Sequence, residues 1–226
     1  MSLGTTLIYF ALLLIIPMWA QMKVKSTYKK YSQIPSSSHM TGAQVARKIL
    51  DDNGLFDVQI EEAKGVLSDH YDPRQKVVRL SSDNFHGHST AAAAIAAHEV
   101  GHAIQDAEEY GFLKFRTALV PLASFGSGSA IWIILIGFIF NMMNLVLVGI
   151  IFMAFAVLFQ LVTLPVEFNA SNRARDQLVM TGIIQNSEEK GTKKVLDAAA
   201  LTYVAAALVA VAELIRFILI FANSND

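Results

Sequence analysis

Three stretches of the chain are almost devoid of charge, and their lengths predict helices that cross a membrane. Residues 1–22 contain no Asp, Glu, Lys or Arg and are dominated by Leu, Ile and aromatic side chains. At about 1.5 Å of rise per residue, a helix of this length spans the hydrocarbon core of a bilayer. The stretch lacks a basic start and a small-x-small cleavage site, so an anchor helix is expected rather than a removable signal. Residues 117–166 are again uncharged, too long for one span and suited to two, with Asn141 and Asn144 of FNMMN as the turn of a helical hairpin. Gly137 and Gly149 fall inside these two spans, where glycine is tolerated and supports close helix packing. Residues 198–226 form the fourth span, charged before the terminal Asp226 only at Glu213 and Arg216, three apart and able to pair.

The remaining segments, 23–116 and 167–197, are polar. In the first, Thr41-Gly-Ala-Gln44 has capping-box spacing ahead of the helical run VARKIL, and Asn53-Gly54 ends that helix. VQIEEAKG and KVVRLS read as short strands separated by the turn-like DHYDP. Ser89 or Thr90 caps a third element, the alanine-rich helix AAAAIAAHEVGHAIQDAEEY. This segment is a small α/β unit. Segment 167–197 reads as helical.

Charge supplies an orientation. Of the 18 Lys and Arg residues, twelve lie in 23–116, five in 167–197, and Arg216 lies inside the last span. Four crossings put both basic segments on one side, and the positive-inside rule makes that side the cytoplasm. With 54% hydrophobic and 16% charged residues, the chain holds more apolar side chains than a soluble core of this size needs, so lipid is one expected partner. The net charge of −1 gives no reason to expect a nucleic-acid partner. The absence of cysteine removes disulfides and thiolate ligands, leaving His, Asp and Glu to hold any metal.

His98 and His102, in HEVGH, are one helical turn apart on the same face, which lets two imidazole nitrogens reach one zinc ion. Glu99, beside the first histidine, is placed to act as base toward a water at the metal. Gly101 costs a mid-helix position about 0.5–1 kcal/mol relative to alanine. Together with Ala91, Ala94 and Gln105 it leaves the histidine face without bulk, as expected where another backbone or a substrate approaches closely.

A third ligand is needed, and 167–197 offers Glu167, Asp176, Glu188, Glu189 and Asp197. Glu167 stands at the end of the third span, after Pro165, which suits the first turn of a new helix. Ala170, Ser171 and Ala174 give it a second small face. Weaker candidates are His86 and His88 for a second metal, His70 and His39, and Tyr203 as a donor to an oxyanion.

AAHEVGHAIQ, LPVEFNASNRA and LDAAALTYVAAAL, in that order behind an N-terminal anchor, resemble the YugP-type neutral zinc metallopeptidases of bacterial membranes. More distantly the pattern is similar to the HtpX-like and CAAX prenyl proteases, which pair HExxH with a later Glu-x-x-x-Asp. The resemblance implies that Glu167 is the third zinc ligand, with one zinc per chain, and Ser171 stands where the aspartate would be. Serine orients a histidine less strongly than a carboxylate does. It further implies that KVVRLS is the edge strand along which a peptide substrate lies.

The expected whole is a mainly α, multi-pass protein of the bacterial plasma membrane. It has four transmembrane helices and a small cytoplasmic α/β zincin-like unit that cleaves peptides or membrane proteins, alone, as a homo-oligomer or with an accessory membrane protein. Two alternatives stand beside it. A site-2-type intramembrane protease would need an Asp-Gly motif, which is absent, and its motif helix would not end in Asp106, Glu108 and Glu109. A zinc-binding scaffold without catalysis would have no need of Glu99.

The topology is directly testable. Reporters fused after residues 60 and 185 are expected to read cytoplasmic, and fusions at 142 and 226 external. Opposite readings at 60 and 185 would separate His98 from Glu167 and remove the hairpin.

Overall fold

The computed structural model describes residues 3–224. Its elements in order are α1 (Leu3–Tyr31), α2 (Gly42–Asp52), β1 (Gln59–Ala63), β2 (His70–Asp72), β3 (Val77–Ser81), α3 (Ser82–Phe85), α4 (Thr90–Ala107), α5 (Gly111–Ile139), α6 (Met143–Met180) and α7 (Asn186–Asn223). The protein is therefore mainly helical with one small mixed sheet. Four helices, α1, α5, α6 and α7, are long and apolar enough to cross a membrane.

The chain divides into two compact units, one of α1 up to Met18, Gly111–Pro165 and α7 from Tyr203 onward, the other of Trp19–Tyr110 and Val166–Thr202. In the first unit, α5 and α6 form a hairpin whose turn is Phe140 to Met142, with Asn141 at φ +54°. Asn144 already lies within α6. Gly149 packs against α5, where a Cβ would meet the Ile134 side chain at 2.6 Å and the Ala130 carbonyl oxygen at 3.0 Å. Ile134, Val146, Ile150 and Phe217 form the buried centre of this unit. Glu213 and Arg216 approach to 3.9 Å, the Tyr9 hydroxyl donates to Glu213 at 2.7 Å, and the guanidinium lies over the Tyr9, Phe10 and Phe217 rings. These contacts offset the cost of two charges in an apolar stretch.

The second unit is organised around α4. Ala91 to Ala94, Ala96, Ala97, Val100 and Ala103 are all buried, so this helix is covered around nearly its whole circumference. Alanine makes that possible, because methyl side chains let neighbouring backbones come close on every side. Ser89 caps the helix, its hydroxyl accepting from the Ala92 N–H, and α2 carries the expected capping box between Thr41 and Gln44. Val45, Ile49 and Leu50 of α2, Val78 and Leu80 of β3, and Leu178 of α6 join α4 in one core.

The sheet departs from the sequence reading at two points. Its order is β1-β3-β2, with β1 parallel and β2 antiparallel to β3. KVVRLS is thus the central strand and not an edge. The reason is pairing: β3 bonds to β1 along one edge and to β2 along the other, while Val77, Val78, Leu80 and Ser81 are buried. The edge facing away from β1 belongs instead to His70–Asp72, inside the DHYDP segment expected to be a turn. The turn lies just after it, where Asp72 Oδ1 accepts from the Arg74 and Gln75 N–H groups and Lys76 takes φ +51°.

A third correction concerns Pro165. It begins no new helix and lies inside the continuous α6. Proline in a helix interior loses a backbone hydrogen bond and crowds the preceding turn. Val166, Ala170, Ala174 and Leu178, at successive spacings of four and all fully buried in the second unit, supply the packing that carries α6 through this point.

Within the second unit α4 and α6 also touch backbone to backbone. A Cβ on Gly101 would lie 2.6 Å from the Ala170 carbonyl oxygen and 3.2 Å from its Cα. Gly101→Val is therefore expected to cost about 1–3 kcal/mol of stability through overpacking, measured by thermal unfolding in detergent. Gly111→Ala, where a Cβ meets nothing within 4 Å, serves as the neutral comparison.

Candidate metal centre

The approach of α4 to α6 brings three donors together. His98 and His102 project from one face of α4, their ring centroids 4.8 Å apart and their planes at 81°. Glu167 Oε2 lies 3.3 Å from His98 Nε2 and 3.6 Å from His102 Nε2. Ligand atoms of all three fall within 4.8 Å of one another, and no other such trio of His, Asp and Glu occurs among the described residues. The Glu167 side chain is 4% exposed and each imidazole 12% exposed.

The other ring nitrogens are engaged, and their partners decide what the converging nitrogens can do. His102 Nδ1 lies 3.0 Å from Gln105 Oε1. The Gln105 amide has only one sensible orientation, because its Nε2 donates to the Val166 carbonyl at 2.9 Å and to Asn169 Oδ1 at 2.9 Å. A carbonyl accepts only, so the amide nitrogen must face α6 and the amide oxygen must face His102. His102 then carries its proton on Nδ1 and keeps a lone pair on Nε2, directed toward Glu167. Asn169 is held in turn by Arg173, whose Nε donates to it at 2.8 Å while the guanidinium pairs with Glu108 at 2.6 Å. Ser171 Oγ lies 3.3 Å from His98 Nδ1, so serine stands beside the first histidine.

This donor set fits zinc. Two imidazole nitrogens and one carboxylate oxygen are a known catalytic combination, leaving a fourth position for water or substrate. A carboxylate buried as deeply as Glu167 also calls for positive charge between it and the imidazoles.

Glu99, the next residue after His98, is buried at 7% exposure. Burial pushes its carboxyl up to about 7; the His98 ring opposes the rise, the Asp69 and Glu167 carboxylates add to it, and the Tyr71 backbone N–H opposes it. Tyr71 belongs to the edge strand β2, and its hydroxyl donates to Asp106 at 2.9 Å, near the end of α4. Burial and that bond both raise the phenol above its usual range. Asp69 holds the entry to the same strand, accepting from the Ser81 N–H at 2.8 Å and from Asn84 Nδ2 at 2.9 Å.

Within the second unit, the remaining carboxylate and histidine candidates do not join the trio. Glu188 accepts from the Ser37 N–H and hydroxyl and from the Gln185 N–H. Asp197 pairs with Lys193 at 2.5 Å, and Asp176 and Glu189 lie 3.9 and 4.0 Å from Arg175. His86 faces Glu62 at 3.2 Å, His70 Nδ1 lies 2.8 Å from the Ser68 carbonyl oxygen, and His88 lines a separate groove with Tyr28 and Asp83. His39 sits in a turn at φ +52°. Tyr203 falls in the first unit. Sequence reasoning noticed Gln105 only for the face it shares and missed Asn169 and Arg173. The usable signal was a glutamine three residues after the second histidine, within reach of that ring.

A family model described as "putative neutral zinc metallopeptidase" matches residues 6–222. The protein described as "putative membrane protease YugP" of Bacillus subtilis (strain 168) is 54% identical over 208 residues, which covers 92% of this chain and 92% of that one. No solved structure matches.

The geometry orders a set of variants by zinc affinity, measured by competition with a chromogenic chelator. Glu167→Ala is expected to lose zinc at limiting metal and to recover part of it in excess. Gln105→Met, which keeps volume but frees the His102 ring, should weaken binding about 10–100-fold. Glu188→Gln and Asp176→Asn should match the parent protein. Full zinc occupancy in Glu167→Ala would refute the donor set.

Proposed function

This chain belongs to the neutral zinc metallopeptidase family, and on that premise we propose that it is a membrane-bound endopeptidase holding one zinc ion through His98, His102 and Glu167. The observation that carries the reading is the convergence of these three donors beside a buried glutamate. The unit containing them is read as zincin-like and cytoplasmic. Its side of the membrane follows from the basic residues, of which all but Arg216 lie in the two segments that flank the spans.

When bound, zinc supplies Lewis acidity, polarising a carbonyl and making a water a competent nucleophile near neutral pH. The protein's own groups do the rest. Glu99 accepts a proton from the attacking water at its side-chain oxygen and delivers it to the leaving amine nitrogen. Gln105 and Ser171 keep the two imidazoles oriented through their Nδ1 atoms. A peptide in extended form fits the free edge of β2, since the Tyr71 N–H reaches Glu99 and an added strand would lie next to the base. Substrates are then unfolded segments or peptides at the membrane surface.

The location of the motif argues against an intramembrane protease of the site-2 type. α4 is an 18-residue helix in the second unit and is not one of the four apolar spans. Glu99 argues against a scaffold without catalysis, because burying a carboxylate is costly and zinc binding needs none at that position.

Glu99→Gln separates base from ligands. Zinc is expected to stay near one per chain while hydrolysis of a membrane-protein substrate falls by about 10²–10⁴. Zinc content and turnover are measured on the same preparation, and unchanged turnover would overturn the mechanism.

A further inference from the structure

A groove of about 590 Å³ lies between the basic end of α1 and the polar start of α7, entirely within the second unit. From α1 it is lined by Lys23, Ser26, Thr27 and Lys30, whose spacings of three, four and seven define one helical face. From α7 it is lined by Lys194, Asp197, Ala198 and Leu201, with the same spacings. The two helices are held at this distance by Tyr31 against Gly191, where a Cβ would lie 2.8 Å from the ring.

The groove is positively charged. Among the described residues, Lys23, Lys30 and Lys194 have no carboxylate within ion-pair distance, and the one carboxylate in the lining, Asp197, is already taken by Lys193 at 2.5 Å. Three lysines and two hydroxyl residues therefore line the groove, Lys23 and Lys30 about two helical turns apart along α1.

The groove also changes character along its length. Lys23 is the first charged residue after the uncharged start of α1, and Asp197 is the last before the apolar run of α7. Ala198 and Leu201 continue the lining on the apolar side. A ligand that fits both ends carries a phosphate and an aliphatic chain.

We propose that this groove binds the phosphate headgroup of an anionic membrane lipid, with an acyl chain along Ala198 and Leu201. The proposal rests on the membrane location of the chain and not on its peptidase chemistry. Basic pockets between spans at a membrane surface take such headgroups. A soluble phosphate ester would share the polar half of the ligand and none of the apolar half. The consequence of occupancy is local: a lipid bridging α1 and α7 fixes one wall of the unit that carries the metal donors.

The test measures lipid binding on the full chain in nanodiscs, using phosphatidylglycerol in a phosphatidylcholine background and native mass spectrometry after partial delipidation. Phosphatidylglycerol is expected to remain bound in preference to phosphatidylcholine and to raise the unfolding midpoint. Lys23→Gln, Lys30→Gln and Lys194→Gln combined should weaken this retention at least about tenfold, each lysine being worth roughly fivefold near an anionic surface. The single variants keep the question open to measurement should the combined variant not fold. Lys25→Gln, Lys29→Gln and Lys190→Gln combined remove the same charge outside the groove, so they lose only the general surface attraction and should lower retention at least about fivefold less than the groove set does. Equal loss in both sets would reduce the effect to general surface attraction and overturn the site. Equal retention of phosphatidylcholine would overturn the preference for an anion, and displacement by millimolar glycerol 3-phosphate would assign the groove to a soluble ligand. None of these readouts depends on hydrolysis, so they stand or fall apart from the peptidase reading.

Discussion

Gly101 and Ala170 meet where α4 passes α6, with 2.6 Å between the position of a Cβ on residue 101 and the Ala170 carbonyl oxygen. A methyl group there would have to force the two backbones apart. His98 and His102 flank this contact on α4, and Glu167 lies one turn before it on α6. The Nε2 to Oε2 distances of 3.3 and 3.6 Å exist because two backbones touch. The glycine that weakens α4 as an isolated helix is what lets it take part in a three-donor centre.

The same contact also determines the histidine tautomer. Gln105 is fully buried, and its amide bridges the His102 ring to the Val166 carbonyl and the Asn169 side chain of α6. Were α6 further away, the amide would lose the acceptors that orient it, and the ring would be free to present either nitrogen. Orientation at the centre is thus a property of the helix pair. Arg173 and Glu108 extend the network to the surface, where the ion pair closes it.

Much of this was legible in the sequence. The four apolar helices, the capping box at Thr41 and Gln44, the Ser89 cap and the hairpin turn at Asn141 depend on local patterns read over a few residues or a long uniform run. His98, Glu99 and His102 are visible for the same reason, since a spacing of four on a helix sets their relative positions without reference to any other element. Strand β2 was not legible. Three residues, His70 to Asp72, preceded by Asp69 and followed by Pro73, carry no strand pattern, and the antiparallel pairing with β3 supplies the structure that composition withholds. The central position of β3 was hidden as well, because its second paired edge depends on β2, whose own sequence carries no strand pattern.

By itself the sequence determined which segments are apolar enough to cross a membrane, where the positive charge lies, and that two histidines and a glutamate share one turn of helix. Those properties are local or additive, so a linear reading recovers them. Only the tertiary structure decided that α6 runs unbroken past Pro165, that Glu167 faces the histidines while Glu188 and Asp197 are spent on other partners, and that Gln105 holds the second ring. Each of these depends on two surfaces far apart in the chain fitting at atomic distance, and no single segment carries that information.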